Sequence, residues 1–177
     1  MDIRDQIKNI IRDVKDFPIK GVVFKDITPL FEDITLFKKL IDIFYDYYKK
    51  VKIDKIVGIE SRGFIVGMPL AVKMNIPFVP VRKEGKLPFK TVKASYSLEY
   101  DVATIEMHED AISCGENILI VDDILATGGT VNAAIKLVEL LNANVVASAF
   151  IAELVSLKGR QNVLSCRQVD MFSLVQY

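Results

Sequence analysis

Ile118, Leu119, Ile120 and Val121 form an unbroken apolar run, mostly β-branched, the pattern of a strand buried on both faces. The run meets two aspartates, Asp122 and Asp123, and then a small-residue loop of Ala126, Thr127, Gly128, Gly129 and Thr130. Beyond it Val131, Ala134, Ile135, Val138 and Leu141 recur at helical spacing, so the stretch predicts strand, loop and helix in succession. Residues 56–59 predict a second buried strand that ends in Glu60-Ser61-Arg62-Gly63 before an apolar helix over 64–74. Further short strands are expected at 77–81, 144–151 and 169–175, with a loop or helical turn over 154–160. Residues 92–100 and 102–107 alternate instead, which predicts an exposed antiparallel ribbon or flap.

Before these elements, Ile3, Ile7, Ile10, Ile11 and Val14 predict an amphipathic helix that stops ahead of Phe17-Pro18. Pro18, Gly21 and Pro29 punctuate residues 17–31 and favour a packed arm with one short strand. Leu36, Leu40, Phe44 and Tyr48 then mark a second amphipathic helix. The alternation of strands and helices predicts an α/β fold: one domain over 1–177, with a mostly parallel central sheet flanked by helices.

Composition narrows the function. Lys+Arg and Asp+Glu both number 23, so no general attraction to nucleic acid is expected. Mean hydropathy is +0.29, yet no apolar run approaches the ~20 residues of a membrane-spanning helix. The first dozen residues carry charges throughout and have no signal-peptide core, so a cytoplasmic protein is expected. Cys114 and Cys166 lack metal-ligand spacing and read as reduced thiols, while His108 is the single histidine.

The loop at residues 126–130 is the strongest candidate for chemistry. Glycines let the backbone approach an anion, the first amides of a helix lack internal partners, and Thr127 and Thr130 add hydroxyls. A phosphate fits there, and Asp122 and Asp123 suit the hydroxyls of an attached ribose. Isolated, an Asp pair or a Gly-Gly-Thr is as often a plain turn, and an acidic pair after a strand also opens receiver domains. Too little chain follows this strand to complete a receiver, and neither G-x-x-x-x-G-K-[ST] nor G-x-G-x-x-G occurs. Arg62 follows the earlier strand, and Arg82, Lys83 and Lys86 surround Gly85, a plausible second anion site.

Taken whole, I-L-I-V-D-D-I-L-A-T-G-G-T resembles the string with which type I phosphoribosyltransferases bind 5-phosphoribosyl-1-diphosphate (PRPP). Four further segments resemble the adenine-specific branch of that family: F-P-I-K-G-V-V-F-K-D-I-T-P, E-S-R-G-F, V-P-V-R-K-E-G-K-L-P and Y-S-L-E-Y. The resemblance implies transfer of the phosphoribosyl group of PRPP to N9 of adenine, giving AMP and diphosphate, with Mg²⁺ carried on the sugar diphosphate. It assigns Ala126, Thr127, Gly128, Gly129 and Thr130 to the 5′-phosphate, Asp122 and Asp123 to the ribose, and Arg62, Arg82, Lys83 and Lys86 to diphosphate. Glu99 matches the catalytic glutamate, in a flap over 91–107, and Val23 and Lys25 match adenine-contacting positions in an N-terminal helix and arm over 1–35.

No protein ligand to the metal is assigned, and the family implies a homodimer. Lys25 stands where arginine is common, Glu84 where proline or a basic residue is common, and Asp101 where glycine is usual. Two alternatives remain: a phosphoribosyltransferase for another purine, and a regulator that senses PRPP or a nucleotide. The second usually carries a DNA-binding segment, for which the residues before the arm are too few.

Overall fold

The computed structural model describes residues 2–97, 102–165 and 167–177, without the side chain of Ser97. The chain divides into two compact units, a smaller one up to Tyr47 and a larger one from Tyr48 to Tyr177.

In the smaller unit, α1 (Ile3–Ile10) is shorter than its apolar spacing predicts. Ile11 is already extended, and Val14 lies in β1 (Arg12–Lys15), which pairs antiparallel with β2 (Val23–Asp26). The ladder supplies Val14 with backbone partners that an extra helical turn would forfeit, so pairing overrides spacing. The connection between the two strands is held by Asp16, whose Oδ1 accepts the Gly21 N–H at 2.7 Å. A short α2 (Thr28–Glu32) and the long α3 (Ile34–Tyr48) follow. Asp33 caps α3 by accepting the N–H groups of Thr35 and Leu36, at 3.0 and 2.9 Å.

The larger unit is built on seven strands: β3 (Lys55–Ile59), β4 (Phe78–Lys83), β5 (Thr91–Ser97), β6 (Val102–His108), β7 (Asn117–Leu125), β8 (Asn144–Glu153) and β9 (Asp170–Gln176). Their order across the sheet is β5-β6-β4-β3-β7-β8-β9. The pairs among β4, β3, β7, β8 and β9 are parallel; those of β6 with β4 and β5 are antiparallel. Helices α4 (Arg62–Met74), α5 (Gly129–Leu140) and α6 (Gly159–Leu164) connect or flank the strands. The expected sheet class is thus observed.

Three boundaries differ from expectation in ways that matter. β7 does not stop at Val121 but runs through both aspartates to Leu125, because β8 offers partners opposite Asp122, Ile124 and Leu125. β4 likewise runs on through Arg82 and Lys83, which pair with Ile105 and Glu106 of β6. The β5–β6 ribbon is not a detached flap over its described length. Ala94, Ile105 and Met107 are buried, and α5 packs on both strands.

The core of this unit joins Val57, Ile59, Val81, Ile118 and Ile120 from the strands to Val131, Ala134 and Val138 of α5. Each fully buried aliphatic side chain contributes about 1.5–3 kcal/mol, enough in sum to hold the carboxyl ends of β3, β4 and β7 side by side.

Candidate functional site

The parallel register of β4, β3 and β7 brings three strand ends together, and each leads into polar residues. Such an edge is where open α/β sheets hold ligands.

At the end of β7 the chain turns through Ala126 and Thr127 to Gly128, which has φ +86° and precedes α5. A Cβ at Gly128 would sit 2.7 Å from the carbonyl oxygen of Gly159, so both backbone conformation and space demand glycine. Gly159 packs more closely still on the Ala126 carbonyl, and Asn162 donates from Nδ2 to the Thr127 carbonyl at 2.9 Å. The start of α6 therefore backs the loop. The first intrahelical bond of α5 runs from the Asn132 N–H to Gly128, 3.0 Å, which leaves the preceding amides without a helical acceptor. Asp122, Ile124, Ala126, Thr127, Gly128 and Thr130 line a cleft there, with Phe150 of β8 as its wall. The cleft is polar and small, a fit for a phosphate monoester.

Asp122 and Asp123 differ although adjacent. Asp123 is buried and accepts a hydrogen bond from Nε of Arg62, the first residue of α4. Asp122 accepts the Asp123 N–H at 2.9 Å and is crowded by protein, with the residue retaining partial exposure. Desolvation first, and then the charge of Asp123, push its carboxyl well above the usual carboxylate range. The first turn of α4 reaches these aspartates because Gly63 has no side chain. A Cβ there would lie 2.7 Å from the Val121 carbonyl oxygen and 3.2 Å from Asp122 Oδ1.

The β3–α4 turn, which contains a cis bond between Glu60 and Ser61, also organises the basic residues. Glu60 receives Arg82 through two hydrogen bonds of 3.1 Å and the Lys83 N–H at 3.0 Å. The Arg82 hydrogen bond holds the Glu60 carboxyl below its ordinary value, against the opposing effect of desolvation. Arg82 also donates to the Lys86 carbonyl at 3.1 Å, so its guanidinium is engaged within the protein. Lys83 and Lys86 are exposed, and their ammonium groups have no ion-pair partner among the described residues. The structure thus groups Arg62, Arg82, Lys83 and Lys86 near one sheet edge with Asp122, Asp123 and residues 126–130. In the sequence Glu60 and Gly63 read only as parts of E-S-R-G-F and Gly159 is not singled out, since nothing in their spacing announces contacts with distant segments.

Val23 and Lys25 lie on β2 of the smaller unit, Val23 being 47% exposed and Lys25 bonded through Nζ to Asp13 Oδ1 at 2.6 Å. Glu99 and Asp101 fall outside the described residues. Glu84 pairs with Lys93 of β5 at 2.7 Å. Among the described residues no group of three or more His, Cys, Asp or Glu side chains is arranged to hold a metal ion, and no helix is long and apolar enough to cross a membrane. Asp123 is taken by Arg62, which leaves the pair better suited to sugar hydroxyls than to a bare cation. A Mg²⁺ that keeps its waters and binds substrate phosphates asks little more of the protein.

Residues 30–171 match the phosphoribosyl transferase domain family, a class with which the cleft after β7, the aspartates beside it and the basic turn after β4 are consistent. The adenine phosphoribosyltransferase of Desulfosudis oleivorans is 52% identical, with 97% of each chain covered. In solved structures, adenine phosphoribosyltransferase from Thermoanaerobacter pseudethanolicus superposes with a TM-score of 0.93 at 43% identity, covering 98% of this chain and 99% of the other. The enzyme from Saccharomyces cerevisiae, in complex with adenine and an imino-altritol bisphosphate, gives 0.90 at 44% identity, covering 97% and 98%. The chain belongs to the adenine phosphoribosyltransferase family.

Proposed function

We propose that the protein transfers the phosphoribosyl group of PRPP to N9 of adenine, forming AMP and releasing diphosphate. The bond from C1′ to N9 forms as the bond from C1′ to the diphosphate oxygen breaks, and the electron pair leaves with the diphosphate. The observation that carries this reading is the cleft between β7 and α5, with Gly128 at its turn and Asp122 in its lining.

In this reading, Ala126, Thr127, Gly128, Gly129 and Thr130 hold the 5′-phosphate through amides and hydroxyls. Asp122 and Asp123 hold the ribose hydroxyls. Arg62, Lys83 and Lys86 receive the diphosphate, with Arg82 shaping the turn that carries the lysines. Glu99 manages the proton displaced from the purine, and Val23 and Lys25 recognise adenine; both assignments rest on the resemblance. Mg²⁺, when bound with PRPP, neutralises part of the charge on the leaving group.

A homodimer is part of the proposal. Its support is an exposed apolar stripe on α4, where Ile65, Met68 and Val72 are 42%, 48% and 73% exposed at helical spacing. A cytoplasmic location is also part of it, supported by the absence of membrane-spanning helices among the described residues.

Incubation with PRPP, Mg²⁺ and single purines tests the reaction. AMP formation from adenine is expected, while turnover of hypoxanthine but not adenine would assign the protein to another base. Binding of PRPP with no turnover of any base would favour a sensor.

A further inference from the structure

Glu106 is 2% exposed on β6, and no step of the proposed transfer uses it. It stands in register with Arg82 of β4 on one side and Lys93 of β5 on the other. Its Oε1 accepts the amide N–H groups of Lys86 and Leu87, both at 3.0 Å, and its Oε2 accepts the Thr91 hydroxyl at 3.1 Å. Desolvation opposes ionisation here, but the two amides, the hydroxyl and the Lys93 charge outweigh it and hold the carboxyl below its ordinary value.

The two amides belong to the turn that follows β4. In that turn Gly85 has φ +78°, the Glu84 N–H donates to the Thr104 carbonyl at 3.1 Å, and the Lys86 carbonyl accepts from Arg82 at 3.1 Å. The backbone of the turn is therefore tied to the sheet edge while the Lys83 and Lys86 ammonium groups stay exposed. Burying a carboxylate is unfavourable unless its lone pairs are filled, and Glu106 fills them largely with this turn. A fixed backbone under free cations binds an anion without first losing the entropy of a loose loop.

We propose that Glu106 is a positioning residue that clamps the amides of Lys86 and Leu87, and so preorganises the Lys83 and Lys86 cations for the diphosphate of PRPP. The inference rests on the reading of those lysines as diphosphate ligands.

Titration calorimetry with PRPP and Mg²⁺, alongside steady-state kinetics, tests it. Glu106→Ala and Glu106→Asp, the latter too short to reach both amides, are expected to weaken PRPP binding roughly tenfold, with the KM for adenine changed less than about twofold. Glu106→Gln, whose carbonyl oxygen still accepts both amides, should restore PRPP affinity. In a Lys83→Ala/Lys86→Ala background, Glu106→Ala should weaken binding no further. If Glu106→Ala does not fold, Glu106→Asp carries the same comparison. Wild-type PRPP affinity in the folded Glu106 variants, beside weak binding in the double-lysine variant, would overturn the clamp alone. An equal loss on adding Glu106→Ala to the double-lysine background would do the same. Unchanged affinity in the double-lysine variant would overturn the diphosphate reading of the turn, and the clamp with it.

Discussion

Arg62 at the start of α4 donates its Nε–H to Oδ2 of Asp123 on β7, joining the residue proposed for diphosphate to one proposed for ribose. The side chain of Asp123 is 7% exposed and that of Arg62 41%, so the carboxylate depends on the guanidinium more than the reverse. The pair also ties the ends of two strand-to-helix turns to each other. A ligand spanning both turns meets groups whose separation is already set.

Removing the cation should therefore affect stability and binding together. Arg62→Ala is expected to cost about 1 kcal/mol of stability, the modest value reflecting the exposure of the arginine. PRPP affinity should fall roughly tenfold or more. Adding Asp123→Asn should cost little further stability, because the charge left unpaired is then gone. Denaturant titration and calorimetry measure both effects, and full PRPP affinity in Arg62→Ala would remove it from the site.

Gly128 and Gly115 share a positive φ, +86° and +82°, but only Gly128 is crowded by another segment. Alanine at either position should lower stability by about 1–3 kcal/mol through the backbone. Only Gly128→Ala should also abolish PRPP binding, since its Cβ forces the loop away from Gly159. Thermal melts and PRPP titrations of the two variants separate the effects; intact PRPP binding by Gly128→Ala would argue against residues 126–130 as the phosphate site.

The raised pKa of Asp122 predicts a gain of stability on neutralisation. Because the fold favours the protonated form, the stabilisation is complete below the unfolded value, near 3.8, and is lost as pH rises through the raised folded value. Asp122→Asn, neutral at every pH, should then melt higher than the parent at pH 7 to 8 in the absence of ligand. The difference should shrink as pH approaches 4. With each 1 kcal/mol moving the melting temperature by about 2–4 °C in a chain of this size, a pH series of melts resolves it. A variant that is less stable at pH 8 than the parent would refute the strained carboxylate.

Glu99 is assigned by resemblance, so its test is kinetic. Glu99→Gln should lower turnover much more than it weakens PRPP binding, because the lost group acts on the reacting purine. Near-normal kcat in this variant would take Glu99 out of the mechanism.

The part of the fold and site that was legible in the sequence has a common cause. Ile118 to Val121 read as a strand because burial on both faces leaves no polar positions, and the small residues at 126–130 gained meaning only as part of the whole string from Ile118 to Thr130. Val14 misled because it continues the helical spacing of Ile7, Ile10 and Ile11, and only pairing with Phe24 makes it a strand residue. Asp122 and Asp123 concealed the last third of β7, since two carboxylates look like a turn until β8 supplies partners for Asp122, Ile124 and Leu125. Glu106 gave no local signal at all, and Glu60, although part of E-S-R-G-F, gave none of its contacts. Each acts on backbone or side chains about twenty residues away, a relation that exists only once β3, β4 and β6 are aligned.

A crystal structure of the protein with AMP tests the central claim most directly. The 5′-phosphate is expected within hydrogen-bond distance of the amides of residues 126–130, with the ribose hydroxyls on Asp122 and Asp123. An AMP phosphate bound away from the β7–α5 loop, with that cleft empty, would contradict it.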